Sequence, residues 1–336
     1  MKNSDYYRGS LSEVNMQLVH LMSRKRELLD EGREIQRTNE EAFFKGSSYG
    51  RYLTMMQGRR EPVENPRVVY QGEPGAYSET ACRNFFGRGV NAHGLTHFED
   101  TFMALKNGEA DYAVLPIENS STGAIRQVYD LLESYHYFFV GETTVQVHHA
   151  LMALPGTTLE DITTVYSHEQ GLFQCEQFLA GHPGWEKIPQ ADTAGSAKMV
   201  AATADPHAAA LCSPLAAEIY GLNILREACN DNANNTTRFV VVSPQVELRP
   251  ERDKICISLT TAHSSGSLHN VLTVFAVHSI NMVRLESRPI PEKNWEYMFF
   301  IEFTGDLLTD MMDEVIHEIS LMSSDLRVMG NFHSNL

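Results

Sequence analysis

Phe239-Val240-Val241-Val242 is an unbroken apolar run rich in β-branched residues, the pattern of a strand covered on both faces. Just before it stand Asn234, Asn235, Thr236, Thr237 and Arg238: two amides, two hydroxyls and a guanidinium. Ligands of α/β proteins collect in crevices at strand ends, so such a junction suits the holding and protonation of a small anion. Taken alone, the segment reads equally as a turn-forming loop feeding a strand. The design recurs upstream. Val114-Leu115-Pro116-Ile117 empties into Glu118, Asn119, Ser120, Ser121, Thr122 and Gly123. Thr164-Val165-Tyr166 leads to Ser167, His168, Glu169 and Gln170, with Gln174 one helical turn beyond. Val68-Val69-Tyr70 enters a glycine turn and then Ala76-Tyr77-Ser78 at a helix start. Four such junctions in one region point to a single cleft.

The bulk numbers bound the remaining possibilities. A length of 336 residues suggests two or three domains, and 43% hydrophobic with 21% charged residues is ordinary for a globular protein. A net charge of −16 argues against a nucleic-acid partner, and the basic runs Arg24-Lys25-Arg26 and Arg59-Arg60 are too short to override it. No stretch approaches a membrane span, and the first residues lack the apolar core of an export signal. Cys82, Cys175, Cys212, Cys229 and Cys256 are widely spaced and odd in number, which fits reduced thiols and a cytoplasmic location. His148 and His149 are adjacent, and neighbours in a strand point to opposite faces, so no metal site is expected.

Residues 11–37 carry helical periodicity, and a Gly46-Ser47-Ser48 break leads to a short helix near residues 49–56. Pro62 and Pro66 mark a linker. The spacing predicts a helical segment at 1–60, an α/β domain at 67–245 and a third domain at 253–334. Strands are expected at 67–71, 111–116, 145–154, 163–167, 208–212 and 238–243. Helices are expected at 76–86, 99–107, 124–134, 171–180, 193–203 and 214–220. This alternation predicts parallel sheets. A crossing between lobes near residues 142–153, and a return near Arg226, give two α/β lobes with the site between them. After a linker at 244–253, strand and helix signals follow a ferredoxin-like β-α-β-β-α-β order.

In order, type and spacing, the motifs from about Arg67 to Pro244 resemble those of prephenate dehydratase. The resemblance implies a two-lobed fold like that of the type II periplasmic binding proteins. Gly266-Ser267-Leu268 and Glu286-Ser287-Arg288-Pro289 give the last segment the look of an ACT regulatory domain. That likeness implies a phenylalanine site built from Gly266, Ser267, Leu268, Glu286, Ser287 and Arg288, with a plain dimerisation module as the alternative. Residues 8–36 resemble the first helix of the chorismate mutase fused to many bacterial dehydratases, Arg8 and Lys25 falling where that enzyme has arginines. Gln36 replaces its lysine and the middle stretch is missing, so the segment reads as a remnant serving oligomerisation.

The implied reaction is decarboxylative dehydration of prephenate to phenylpyruvate, which needs no cofactor. Thr237 matches the catalytic threonine, positioned to donate a hydrogen bond to the leaving hydroxyl. Asn119, Ser167 and Gln174 match active-site positions and can bind carboxylate or hydroxyl oxygens without adding negative charge. Glu118 is protonated, paired with a cation such as Arg238, or turned away, and pairing is favoured. Ser78, beside Tyr77, either orients a substrate carboxylate at a helix N-terminus or only caps that helix. Ser120, Thr236 and Arg238 complete the expected substrate surroundings, although alternation turns Thr236 away from its neighbour Thr237. Glu169 stands where many relatives carry proline. The expected partners are prephenate, phenylalanine and a second copy of the chain, as a homodimer or homotetramer joined through an edge strand. Arogenate as substrate, a bifunctional chorismate mutase/prephenate dehydratase and a non-catalytic solute-binding or sensor protein are the competing readings.

Overall fold

The computed structural model describes residues 47–290, 293 and 295–335, together with residues 13, 16, 17, 20, 21 and 24. Arg8, Lys25 and Gln36 lie outside the described residues, as does most of the periodic stretch at 11–37. Helix α1 (Ser48–Gln57) begins at Ser47, whose hydroxyl accepts from the Gly50 N–H, as a helix start prefers. The chain falls into two compact units: Arg59–Arg252 with Met329–Leu336, and Asp253–Val328 with the described part of Met1–Gly58.

The larger unit begins with β1 (Arg67–Gln71), α2 (Tyr77–Phe86), β2 (Asn91–Leu95), α3 (Phe98–Lys106) and β3 (Tyr112–Asn119). The two-residue β4 (Gly123–Ala124), helix α4 (Arg126–Tyr135) and β5 (Phe138–Gln146) follow. The chain then passes to a second sheet through β6 (Ala150–Ala153), β7 (Thr164–His168), α5 (Glu169–Gln174), α6 (Glu176–Ala180) and β8 (Glu186–Gln190). That sheet is finished by α7 (Thr193–Thr203), β9 (Ala208–Cys212), α8 (Pro214–Tyr220) and β10 (Asn223–Arg226) before β11 (Thr236–Ser243) returns. Strand order is β2-β1-β3-β11-β5 in the first sheet and β10-β6-β9-β7-β8 in the second. Two α/β lobes result, as expected.

The sheets are mixed, not parallel. The chain leaves the first lobe along β5 and comes back along β11, and these two strands are neighbours, so they must run in opposite directions. Accordingly β11 is antiparallel to both β5 and β3. The single strand expected at 145–154 is also two strands, interrupted at residues 147–149 where the chain changes sheets. Likewise the helix expected at 171–180 is broken at Cys175 (φ −117°, ψ 25°).

Each lobe has its own apolar core. Val68, Tyr70, Val114, Val140, Phe239 and Val241 pack in the first, and Met152, Ala197, Val200, Ala210 and Ala217 in the second. The lobes are tied beside the turn that follows β1. Ser213 Oγ donates to the Gly75 carbonyl at 2.5 Å and Tyr220 OH to the Pro74 carbonyl at 2.9 Å. Gly75 has φ 90°, and a Cβ there would lie 2.7 Å from Ala216 Cα, so only glycine permits this approach. Among the described residues no helix is long and apolar enough to cross a membrane.

The smaller unit contains β12 (Lys254–Thr260), α9 (Ser267–Val277), β13 (Met282–Pro289), β14 (Tyr297–Thr304), α10 (Asp310–Met322) and β15 (Asp325–Phe332). The order β13-β14-β12-β15 places the first strand of the segment centrally, the ferredoxin-like arrangement. Helix α1 joins this unit, with Tyr49 donating to the Asp313 carboxylate at 2.8 Å and its ring 4.7 Å from that of His317.

Candidate active site

A cavity of about 480 Å³ opens where the strand ends of the two lobes face each other. Tyr77, Ser78, Asn119 and Thr237 line it from the first lobe, and Gln170, Gln174, Asp192 and Thr193 from the second. His149, in the crossing between the sheets, lines it as well.

Strand pairing puts Thr237 directly opposite Asn119 across β11 and β3. The Asn119 amide is fixed by its surroundings. Its Oδ1 accepts from the backbone N–H groups of Ser121 at 2.9 Å and Thr122 at 3.2 Å. Backbone N–H groups only donate, so the other end must be the NH₂. That NH₂ donates to Thr237 Oγ1 at 2.9 Å and to Asn235 Oδ1 at 2.8 Å. Thr237 Oγ1 therefore accepts from Asn119, and its own proton remains available to the cavity.

A second chain of bonds crosses the cavity wall. Tyr77 OH lies 3.1 Å from His149 Nδ1, and His149 Nε2 lies 3.1 Å from Gln174 Oε1. Burial pushes the His149 pKa from 6.5 down to about 4, because a low-dielectric site penalises the imidazolium. The unfolded chain then binds more protons than the folded one between those values. The stabilisation is complete above about pH 6.5 and is lost as pH falls toward 4, by up to roughly 3 kcal/mol. Urea unfolding at stepped pH is expected to show a shallower fall over this window for His149→Phe than for the wild type. Parallel slopes would contradict a buried neutral ring.

No side chain caps α2 at Ala76; the Glu79 N–H donates to the Ala76 carbonyl at 3.0 Å, and the Tyr77 and Ser78 amides stand at a helix start whose dipole favours anions. Ser78 is buried, lines the cavity and does not occupy the cap position. The remaining expected residues lie elsewhere. Ser167 is fully buried and its Oγ donates to the Leu211 carbonyl at 2.7 Å. Strand alternation in β7 places it with Val165 on the covered face. Arg238, one residue past Thr237, faces away from the cavity, and its Nε donates to the buried Glu142 carboxylate at 2.7 Å. Glu118 is half-buried, in register with Arg238, and outside the cavity lining. Ser120 and Thr236 serve the loop: the Thr236 N–H donates to Ser120 Oγ at 3.0 Å, and the Thr236 hydroxyl to the Asn234 carbonyl at 3.4 Å. None of these five lines the cavity.

Lining residues outside the expected set include His149, Asp192 and Thr193. His149 is hidden in sequence by its neighbour His148, and only the break between β5 and β6 shows which ring turns inward. Asp192 and Thr193 form the start of α7, where the Asp192 carboxylate caps the helix by accepting from the Gly195 N–H at 2.6 Å. In the smaller unit, Gly266 (φ 84°) begins α9, followed by Ser267 and Leu268 in its first turn. Glu286 and Arg288 point to one side of β13 and Ser287 to the other.

Residues 68–247 match the family model described as prephenate dehydratase. A bifunctional chorismate mutase/prephenate dehydratase of Enterobacter agglomerans is 36% identical over 273 residues, covering 80% of this chain and 70% of that protein. Arogenate dehydratase 3, chloroplastic, of Arabidopsis thaliana is 40% identical over 287 residues, covering 80% of this chain and 67% of that one. A prephenate dehydratase of Arthrobacter aurescens, solved in complex with L-Phe, is similar with a TM-score of 0.72 at 28% identity, covering 80% of this chain and 90% of that one. With a family model that matches over half of the chain and relatives of this identity and coverage, the chain belongs to the prephenate dehydratase family.

Proposed function

We propose that the cavity converts prephenate to phenylpyruvate, with Thr237 donating to the departing ring hydroxyl. The observation that carries this reading is the orientation of the Asn119 amide, which leaves the Thr237 proton directed to the cavity. As the ring carboxylate leaves as carbon dioxide, its electron pair aromatises the ring and expels the hydroxyl, which takes up a proton and departs as water. A threonine hydroxyl is too weak an acid to release its proton beforehand. Its contribution grows as negative charge develops on the leaving oxygen. The Gln174 amide, the Ser78 hydroxyl and the Tyr77 and Ser78 N–H groups at the start of α2 offer neutral donors to the two carboxylates.

Among the described residues no lysine or arginine lines the cavity, whereas Asp192 brings a carboxylate. A carboxylate repels a dianion and attracts an ammonium. This favours a second reading, in which the amino analogue arogenate is also a substrate. One experiment addresses both readings: product formation from each substrate, by ultraviolet absorbance, for the wild type and for Asp192→Asn. Asparagine keeps a capping oxygen for α7 while removing the charge. We expect wild-type turnover of prephenate, and in the variant a several-fold rise in kcat/KM for prephenate with a fall for arogenate. No turnover of either substrate by the wild type would sink the dehydratase reading. Unchanged selectivity in the variant would sink the role of Asp192.

Residues 253–334 act, on this reading, as an ACT regulatory domain that binds phenylalanine at Gly266–Leu268 and Glu286–Arg288 of paired subunits. The strand order of the unit, the positive φ of Gly266 at a helix start and the edge position of β13 support it. Val283 and Leu285 of β13 are 45% and 44% exposed, apolar surface that a second copy would cover. The same assay with phenylalanine present is expected to slow, and an unchanged rate would refute the regulatory role.

A further inference from the structure

His149 is only 3% exposed and sits where the chain passes from β5 to β6. Its two ring nitrogens join side chains from separate helices, Tyr77 of α2 and Gln174 of α5. With the Gln174 oxygen facing the ring, a neutral imidazole has one proton arrangement. An amide oxygen only accepts, so His149 Nε2 carries the ring proton and donates to Gln174 Oε1. In a neutral ring Nδ1 then holds a lone pair, and Tyr77 OH donates to it. The Tyr77 proton is therefore committed to His149, while both protons of the Gln174 NH₂ remain for the cavity.

Among the described residues the Gln174 side chain has no other hydrogen-bond partner. We infer that His149 is a positioning residue for the reaction: its hydrogen bond holds the Gln174 amide at the cavity wall with its NH₂ toward a substrate carboxylate. A flipped amide would turn its carbonyl oxygen toward the anion, exchanging an attraction for a repulsion. Tyr77, bonded to the other ring nitrogen, contributes by holding the imidazole in place. The edge-on contact of the Tyr77 and His149 rings, with centroids 5.5 Å apart and planes at 75°, holds the pair in place. The inference rests on the dehydratase reading of the cavity.

A double-mutant cycle on the full chain tests it, with prephenate as the probe. His149→Phe keeps an aromatic ring but removes both hydrogen bonds, and Gln174→Ala removes the amide. Each is expected to raise KM about tenfold, the usual scale for a hydrogen bond to a charged group, with a smaller change in kcat. The double variant should be no worse than Gln174→Ala alone, because His149 would have nothing left to orient. A merely structural histidine would instead give a double variant whose loss is the product of the two single losses, and that result would overturn the inference. His149→Gln retains an N–H donor and should lie closer to the wild type in KM than His149→Phe does. It also keeps the test open if His149→Phe does not fold, and equal losses in the two would count against the inference. No prephenate turnover by the wild type would overturn the dehydratase reading itself, whereas multiplicative losses in an active enzyme overturn the positioning role alone.

Discussion

Thr237→Val is expected to lower kcat by about 100- to 1,000-fold, the scale seen when one positioned donor to a developing charge is removed, and to leave KM nearly unchanged. Valine matches threonine in shape, so packing in β11 is preserved and the loss reads on chemistry. One N–H of the Asn119 NH₂ keeps Asn235 Oδ1 at 2.8 Å, while the other exchanges Thr237 Oγ1 for the more distant Thr236 carbonyl at 3.5 Å, so stability should fall by about 1–3 kcal/mol. Thr237→Ser retains the hydroxyl and should recover much of the turnover. Steady-state kinetics on prephenate decide the matter. A valine variant with wild-type kcat would remove Thr237 from the chemistry, and a loss confined to KM would make it a binding group instead.

Much of this site was legible because buried strands announce themselves. The run at 239–242 and its polar approach identified β11, and the matching run at 114–117 identified β3. Their antiparallel pairing then brings Asn119 to Thr237, a step that needs the return crossing and not only the motifs. Less was legible where strands lie at sheet edges. Asn91–Leu95 and Glu186–Gln190 are largely exposed, so they carry no apolar alternation and read as loop. The interruption at 147–149 was invisible for another reason: Val147-His148-His149 holds no glycine or proline to mark a turn, and only the change of sheet forces the break that turns His149 inward. Ser167 lies with Val165 on the covered face of β7, a placement that motif likeness does not fix, since it sets a residue's position and not the face it occupies.

Glu247 shows how far a linker reading can miss. The stretch 244–253 reads as a connector, yet Glu247 is fully buried. Arg60 Nε donates to one carboxylate oxygen at 2.9 Å and Tyr112 OH to the same oxygen at 2.7 Å. Arg249 reaches the other oxygen at 3.1 Å. The two guanidinium groups lie over the Tyr112 ring at 5.4 and 5.5 Å from its centre, adding cation–π attraction. Arg60 also donates to Ser243 Oγ at 3.0 Å. The cluster therefore ties the start of β3 to the end of β11, at the far ends of the two strands whose other ends carry Asn119 and Thr237. Removing the carboxylate leaves two cations close together with no counter-charge. Glu247→Ala is expected to destabilise the larger unit by about 3–5 kcal/mol, as breaking a buried ion pair does, a large share of the roughly 5–15 kcal/mol that keeps a protein folded. Glu247→Gln keeps an acceptor without the charge and should fall between. Because the cluster is remote from the cavity, kcat per folded molecule should stay near the wild-type value at low temperature. Urea unfolding monitored together with activity separates these effects: a loss below about 1 kcal/mol for the alanine variant would reduce the cluster to a surface-like pair, and a fall in kcat without unfolding would tie it to the chemistry through the two strands.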